Sequence, residues 1–350
     1  MPDLIGSVAS LTGYHDRDLL ASTLVEVLAD WLQPSGLSMY RCVGEPEQPR
    51  LLLQAGLERG SLPARGDPPW TPLEALPAAA DRPVHRQALA SGRPVLGMPS
   101  VQGGELMSVF PLLIGTDRFG LIEVRSDGPL SVEQQGLVAG VLKIYRNQIG
   151  LLDYSERDTL TGLLNRKTFD EQFGKCLEAD DAGPRGQPPP DGAERRQGRA
   201  ASSHWLGVID IDHFKRVNDG WGHLIGDEVL LLVARILRSA FRYGDRLYRF
   251  GGEEFVVLLR ADGRVNAESA FERFRSQMEG FRFPQVGQVT ASVGFTELRN
   301  HDTASAAFER ADRAVYQAKD SGRNRVRCHE ALIEAGTLEA SEKVGAIELF

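Results

Sequence analysis

Residues 246–259 read Arg246-Leu-Tyr-Arg-Phe-Gly-Gly-Glu-Glu-Phe-Val-Val-Leu-Leu259. Two apolar runs flank the pair Gly251-Gly252, and two adjacent carboxylates, Glu253 and Glu254, stand just beyond it. A Gly-Gly pair between such runs predicts a β-hairpin, because only glycine takes positive φ at both central positions at little cost. On the second strand the two carboxylates are expected on opposite faces. Like charges set that close together call for a neighbouring cation. Alone, the pentapeptide reads equally well as a plain surface hairpin. The segments around it decide.

The next such segment is Asp210-Ile-Asp-His-Phe-Lys-Arg-Val-Asn-Asp-Gly-Trp-Gly-His-Leu-Ile-Gly-Asp227. It follows Trp205–Ile211, a continuous apolar run ending in acid, as expected of a buried central strand. An Asp at the end of such a strand, before a tight polar turn, is a common place for a metal ligand. Beside Glu253 on a neighbouring hairpin, Asp210 supplies the second carboxylate of a magnesium site. Mg²⁺ prefers a few carboxylates, substrate phosphate oxygens and water to a complete protein cage.

Composition sets the frame. At 350 residues the chain is long enough for about two domains. Its hydrophobic fraction of 42% and charged fraction of 25% are ordinary for a soluble globular protein. The net charge of −8 argues against a diffuse basic surface for nucleic acid, so a polyanionic ligand must be held by a few local cations or by metal. Cys42, Cys176 and Cys328 are far apart and form no CxxC pair, which argues for a reducing compartment and against a disulfide frame or zinc site. Met1-Pro-Asp-Leu-Ile-Gly lacks a basic n-region before an apolar core, so no signal peptide is expected. No run approaches the ~20 apolar residues that span a bilayer. The expected location is the cytoplasm, with no membrane insertion.

The first 130 residues open on an amphipathic helical pattern, Asp16 to Leu32. Strand-like runs follow at Ser38–Val43, Arg50–Gln54, Met107–Ile114 and Phe119–Val124, the last two joined as a hairpin through Gly115-Thr-Asp-Arg118. This order predicts an α/β sensory module with a central sheet. From 131 to about 157 a long helix is expected, with Val138, Leu142, Tyr145, Ile149 and Leu152 at 4-3-4-3 spacing and Leu137, Val141, Ile144 and Leu151 alongside. That period suits a coiled-coil seam; the alternative is a single amphipathic helix packed on its own domain. Residues 179–203, dense in Pro, Gly and charge, are expected to be a disordered loop. Further on, Gly226–Arg238 and Thr303–Asp320 read as helices and Val286–Phe295 as a strand, before a weakly periodic tail at 331–350.

Four ordered segments, Asp158-Thr-Leu-Thr-Gly-Leu-Leu-Asn-Arg166, Asp210–Asp227, Gly251–Phe255 and Ala318-Lys-Asp-Ser-Gly-Arg-Asn324, together resemble GGDEF-domain diguanylate cyclases. The resemblance covers roughly residues 155–330, with the domain itself placed at 158–330. It implies an α+β domain whose central sheet, flanked by helices, is similar to polymerase palms and nucleotide cyclases. It also implies condensation of two GTP into cyclic di-GMP with release of two pyrophosphates. By this match Asp210, the Ile211 carbonyl, Glu253 and Glu254 hold Mg²⁺, with Mn²⁺ able to substitute. Glu253, Glu254 and Lys215 form the catalytic set, the separate parts of the two glutamates being left open. Asn218 and Asp227 match the guanine-reading positions; a carboxylate can accept from guanine N1–H and N2–H while an amide serves another polar edge. Leu230 offers an apolar surface beside the base. Lys215, Lys319 and Arg323, with the backbone N–H groups of His213 and Phe214, match the triphosphate contacts. His213 and His223 are given structural or hydrogen-bonding service.

Arg242-Tyr-Gly-Asp245 matches the family's RxxD inhibitory site for the product, a plain surface ion pair being the alternative; Arg273 is a candidate contact on a second face. The N-terminal region is similar to a GAF domain, on its helix–strand order, the strands Val109-Phe-Pro-Leu-Leu113 and Gly120-Leu-Ile-Glu-Val124, and its exit helix. No Asn precedes Asn147, so the NKxDE-type signature of cyclic-nucleotide-binding GAF domains is missing and the ligand is unknown. The resemblance implies a homodimer, since each domain binds one GTP and the reaction needs two. The rivals are an inactive cyclic di-GMP receptor and a dimeric signalling scaffold.

Overall fold

The computed structural model describes residues 4–14, 16–45, 47–61, 64–68, 70–100, 104–114, 118–181 and 203–339. It divides into two compact units, Met1–Ser155 and Glu156–Phe350. Most of the stretch read as a disordered loop, the hairpin loop 115–117 and the end of the tail, 340–350, lie outside the described residues.

The first unit opens with helices α1 (Leu4–Gly13) and α2 (Arg17–Leu32) and continues with strands β1 (Gly36–Val43), β2 (Arg50–Glu58) and β3 (Ala64–Arg65). Helix α3 (Pro83–Ser91), strands β4 (Val95–Pro99), β5 (Leu106–Ile114) and β6 (Arg118–Ser126), and helix α4 (Val132–Glu156) complete it. Asp16 caps α2, its carboxylate accepting from the N–H groups of Asp18 and Leu19 at 2.9 and 3.1 Å. The strands form one antiparallel sheet in the order β3-β2-β1-β6-β5-β4. The expected β5–β6 hairpin is present; α1, α3, β3 and β4 are additions to the sequence-based expectation.

The coiled-coil reading of α4 is corrected by its packing. Val138, Leu142, Tyr145, Ile149 and Leu152 are buried in the same core as Leu20, Leu24 and Leu28 of α2 and Leu37, Met39 and Ile122 of the sheet. The stripe serves its own unit, where each large apolar side chain fully buried contributes roughly 1.5–3 kcal/mol. Leu151 and Tyr154 point outward instead, 66% and 80% exposed.

The second unit runs through β7 (Leu164–Asn165), α5 (Arg166–Asp181), β8 (Ser203–Ile211), α6 (Phe214–Trp221), α7 (His223–Ala240), β9 (Arg246–Gly251) and β10 (Glu254–Ala261). It continues with α8 (Arg264–Gly280), β11 (Arg282–Phe283), β12 (Gly287–Gln288), β13 (Ala291–Glu297), α9 (Ala304–Asp320), β14 (Val326–Cys328) and α10 (His329–Glu334). Its six-stranded sheet has the order β14-β13-β8-β10-β9-β7, antiparallel except for the two parallel edge pairs β13–β14 and β7–β9. The strand expected over Val286–Phe295 is split between β12, in a small separate ribbon, and β13.

Alternation along the central strands divides the core in two. Ile209, Ile211, Phe255 and Val257 pack with Val229, Val233 and Leu237 of α7 and Phe271 and Phe274 of α8. Leu206, Val208, Val256 and Leu258 face Phe169 of α5 and Ala307, Ala311 and Val315 of α9. Both faces of β8 are therefore covered, which is why its sequence is continuously apolar. Asp210 and Glu254, in step with Val208 and Val256, belong to the face that carries α9.

Candidate active site

Asp210 sits at the end of β8, 8% exposed, directly opposite Glu254 of β10 on one side and Ser292 of β13 on the other. The hairpin turns through Gly251 and Gly252 at φ 145° and 51°, conformations that need glycine. Glu253 lies in that turn and only Glu254 enters the strand, with a register irregularity between Glu254 and Phe255. The expected placement of the two carboxylates on opposite faces of one strand is thus corrected. Both are close enough to Asp210 to be repelled by it. The main chain closes the corner, with the Ile211 N–H donating to the Glu253 carbonyl at 3.4 Å.

Burial, followed by repulsion from Asp210, holds the Glu253 and Glu254 carboxyls above their ordinary range. Asp210 is raised too, chiefly by burial; Asp212 and Asp312 add repulsion, and Lys319 opposes the shift. Lys319 Nζ stands 2.8 Å from Asp210 Oδ2. Glu254 also senses Asp312 on α9 and Arg166 at the start of α5. Desolvated carboxylates that repel one another are a site that a divalent cation would relieve. The donors are all oxygen, as a hard cation prefers. Among the described residues no three His, Cys, Asp or Glu side chains converge at metal-ligand distance. Mg²⁺ asks for fewer, because it usually keeps water and takes phosphate oxygens.

The remaining predicted residues lie on α6, α7 and α9 and in the turns beside them. His213 caps α6 in the left-handed region, φ 58°, which turns the chain sharply so that Phe214 and Lys215 begin the helix. Phe214 is buried and Lys215 exposed. Asn218 lies on α6, and Asp227 and Leu230 on the first turns of α7, with Asp227 exposed and Leu230 buried. Lys319 lies in the last turn of α9, and Arg323 follows in a turn where Arg323 and Asn324 both take positive φ, 62° and 46°.

Asp212 carries a role that sequence reasoning left unassigned. Its Oδ1 accepts from Ser292 Oγ at 2.7 Å, and its Oδ2 from Thr290 Oγ1 at 2.7 Å and the Asn324 N–H at 3.0 Å. One buried carboxylate thus ties the end of β8 to β13 and to the turn that carries Arg323. Asn324 is held further by its side chain, donating to Glu279 at 2.8 Å and accepting from Arg275 at 2.9 Å. Asp312, which acts electrostatically on Asp210 and Glu254, and Arg166, which acts on Glu254, were likewise unassigned.

The RxxD residues lie in the turn between α7 and β9. Asp245 Oδ2 accepts from the Arg242 N–H at 2.8 Å, so the carboxylate braces its own loop, while the Arg242 side chain is exposed. Burial pushes the Asp245 carboxyl up to about 6, against the pull of Arg242 and Arg273. Arg273 donates to the Ala240 carbonyl at 2.8 Å from its Nε.

Residues 193–325 match the profile of the family described as diguanylate cyclase, GGDEF domain. Diguanylate cyclase DgcP of Pseudomonas aeruginosa is 41% identical over 172 residues, 48% of this chain and 23% of the relative. Diguanylate cyclase DgcM of Escherichia coli K12 is 33% identical over 203 residues, 57% of this chain and 45% of the relative. The chain thus spans less than half of each of these two curated relatives. Among solved structures, the GGDEF domain of DgcB from Caulobacter crescentus, in complex with c-di-GMP, is 32% identical; the match covers 50% of this chain and 96% of that one, with a TM-score of 0.43. Residues 193–325 are a GGDEF domain of the diguanylate cyclase family. No helix among the described residues is long and apolar enough to cross a membrane.

Proposed function

We propose that the protein is a diguanylate cyclase, condensing two GTP into cyclic di-GMP and two pyrophosphates. The observation that carries this reading is the corner where Asp210, Glu253 and Glu254 meet Lys319, all carboxyls shifted upward, inside a GGDEF domain. A receptor-only reading has less support, because both acids of the hairpin are present.

The chain's residues divide the work. Asn218 and Asp227 read guanine, with Leu230 lining the base end. Lys215, Lys319, Arg323 and the turn at His213–Phe214 take the triphosphate. Asp210, the Ile211 carbonyl, Glu253 and Glu254 would hold Mg²⁺ or Mn²⁺, which when bound lowers the pKa of a coordinated oxygen and neutralises phosphate charge. Lys319, paired with Asp210 at 2.8 Å, would be available to phosphate with a cation on that carboxylate. Each domain places one 3′-hydroxyl and one α-phosphorus, so the ring closes only between two domains facing each other as a homodimer.

Arg242 is proposed to bind product through its exposed guanidinium, with Asp245 shaping the loop that presents it. The N-terminal unit is proposed as a GAF-like sensory domain of unknown ligand, in a cytoplasmic signalling protein of the kind that governs biofilm formation. Incubating purified protein with GTP and Mg²⁺ and identifying the nucleotide products by mass spectrometry tests the reading. Cyclic di-GMP is expected; GTP returned unchanged would leave the receptor.

A further inference from the structure

Gly226 is buried in the first turn of α7 and is absent from the positive-φ glycines, so conformational freedom does not account for it. Space does. A Cβ on this residue would stand 2.0 Å from Asn218 Oδ1, 3.2 Å from Asn218 Cγ and 3.3 Å from Phe214 Cζ. The Asn218 side chain therefore rests in the notch that the missing Cβ leaves. Among the described residues nothing hydrogen-bonds the Asn218 side chain; its backbone carbonyl accepts from the Gly222 N–H at 2.9 Å. Its close approach to the bare Cα of Gly226 is what positions its amide.

We propose that Gly226 is a specificity-determining position, whose bare Cα seats the Asn218 amide beside Asp227 so that the pair meets guanine from fixed places. The inference rests on the reading of Asn218 and Asp227 as guanine contacts. Glycine inside a helix is less stable than alanine, so fold stability alone favours the larger residue here. In Gly226→Ala the new methyl meets the far end of a flexible side chain. Asn218 rotates out of its seat, and the Phe214 ring yields by a few tenths of an ångström.

The experiment compares four forms of the 350-residue chain: wild type, G226A, N218A and the double variant. Each is measured for GTP turnover, for affinity toward a non-reactive GTP analogue, and for melting temperature. G226A is expected to melt at or above the wild-type temperature. Its KM and its dissociation constant for the analogue should rise about tenfold, the scale of one lost hydrogen bond in a binding site, with kcat at saturation little changed. In the N218A background the same substitution should add nothing, because the side chain it displaces is gone. An unchanged KM in G226A, an equal added loss in both backgrounds, or a clearly lowered melting temperature would each overturn the proposal. A wild type that binds GTP but makes no cyclic dinucleotide would instead count against the cyclase reading; the analogue affinities of the same four proteins would still decide the notch.

Discussion

Arg249 of β9 grips Asp158, ninety-one positions earlier in the chain, through its Nη1 at 3.0 and 3.2 Å from the two carboxylate oxygens. The other nitrogens of the same guanidinium, Nε and Nη2, donate to the Gly252 carbonyl at 3.2 and 2.9 Å. Asp158 is in turn bonded by the Thr161 N–H and hydroxyl at 2.8 and 2.6 Å. Burial tends to raise its carboxyl, but these bonds and Arg249 outweigh burial and hold it below its ordinary range. One planar cation thus locks the entry turn of the second unit to the turn that carries Glu253.

The first prediction follows from that lock. Arg249→Lys keeps the charge but offers a single nitrogen where a rigid fork serves two partners. Unfolding in urea should show a loss of roughly 1.5–3 kcal/mol, the range for hydrogen bonds to charged groups. Turnover should fall further than stability alone explains, because the Gly252 turn is released. Unchanged stability and activity would show the lock to be incidental.

Glu253→Gln separates stability from function. Turnover should fall by at least ~10²-fold, about 2.7 kcal/mol of barrier. Because burial and Asp210 hold the Glu253 carboxyl above its ordinary range, its charge is unfavourable in metal-free protein, and the variant should melt above wild type in chelator. Added Mg²⁺ should narrow that gap. A lower melting temperature in chelator would contradict the electrostatic account of the site.

Asp245 gives a pH dependence whose sign is fixed. Its folded carboxyl is raised to about 6 from 3.8, so the folded state holds the proton more tightly than the unfolded one. This group's contribution to stability is therefore greatest at low pH, declines as pH rises from near 4 through about 6, and is level above. Asp245→Asn keeps an acceptor for the Arg242 N–H and removes the titration. The stability difference between the variant and wild type should shift in favour of the variant across that window. Separately, Arg242→Ala should relieve product inhibition while leaving the affinity for GTP intact; unchanged inhibition would show that the motif is only a turn.

Because Leu142 and Ile149 are buried within the first unit, Leu142→Glu or Ile149→Glu should unfold that unit, costing upwards of ~4 kcal/mol. The near-UV signal and calorimetric transition of the first unit should be lost, whatever the protein concentration. A folded unit with weakened self-association would restore the seam reading.

The chain's local signals account for what was legible. The Gly-Gly pair announces its hairpin, the continuous apolar run announces β8, and Asp210 and Glu253–Glu254 meet as their motifs required. The α4 stripe was ambiguous because periodicity records that a helix face is buried and not what buries it. Asp212 was opaque for a different reason: its partners Ser292 and Asn324 are 80 and 112 positions away, and sheet pairing alone brings them near. Asp312 and Arg166 reach the acids only through the packing of α9 and α5. Helix α8 is different again, for Ala267, Phe271, Phe274 and Met278 fall at helical spacing and its pattern was there to be read.

The most direct test of the central claim is the product balance of the wild-type protein in GTP and Mg²⁺, run beside Asp210→Asn. Cyclic di-GMP and pyrophosphate are quantified together over time. The account predicts two pyrophosphates for each cyclic di-GMP from the wild type and neither product from the variant. Pyrophosphate released without cyclic di-GMP, or equal synthesis by both proteins, would contradict it.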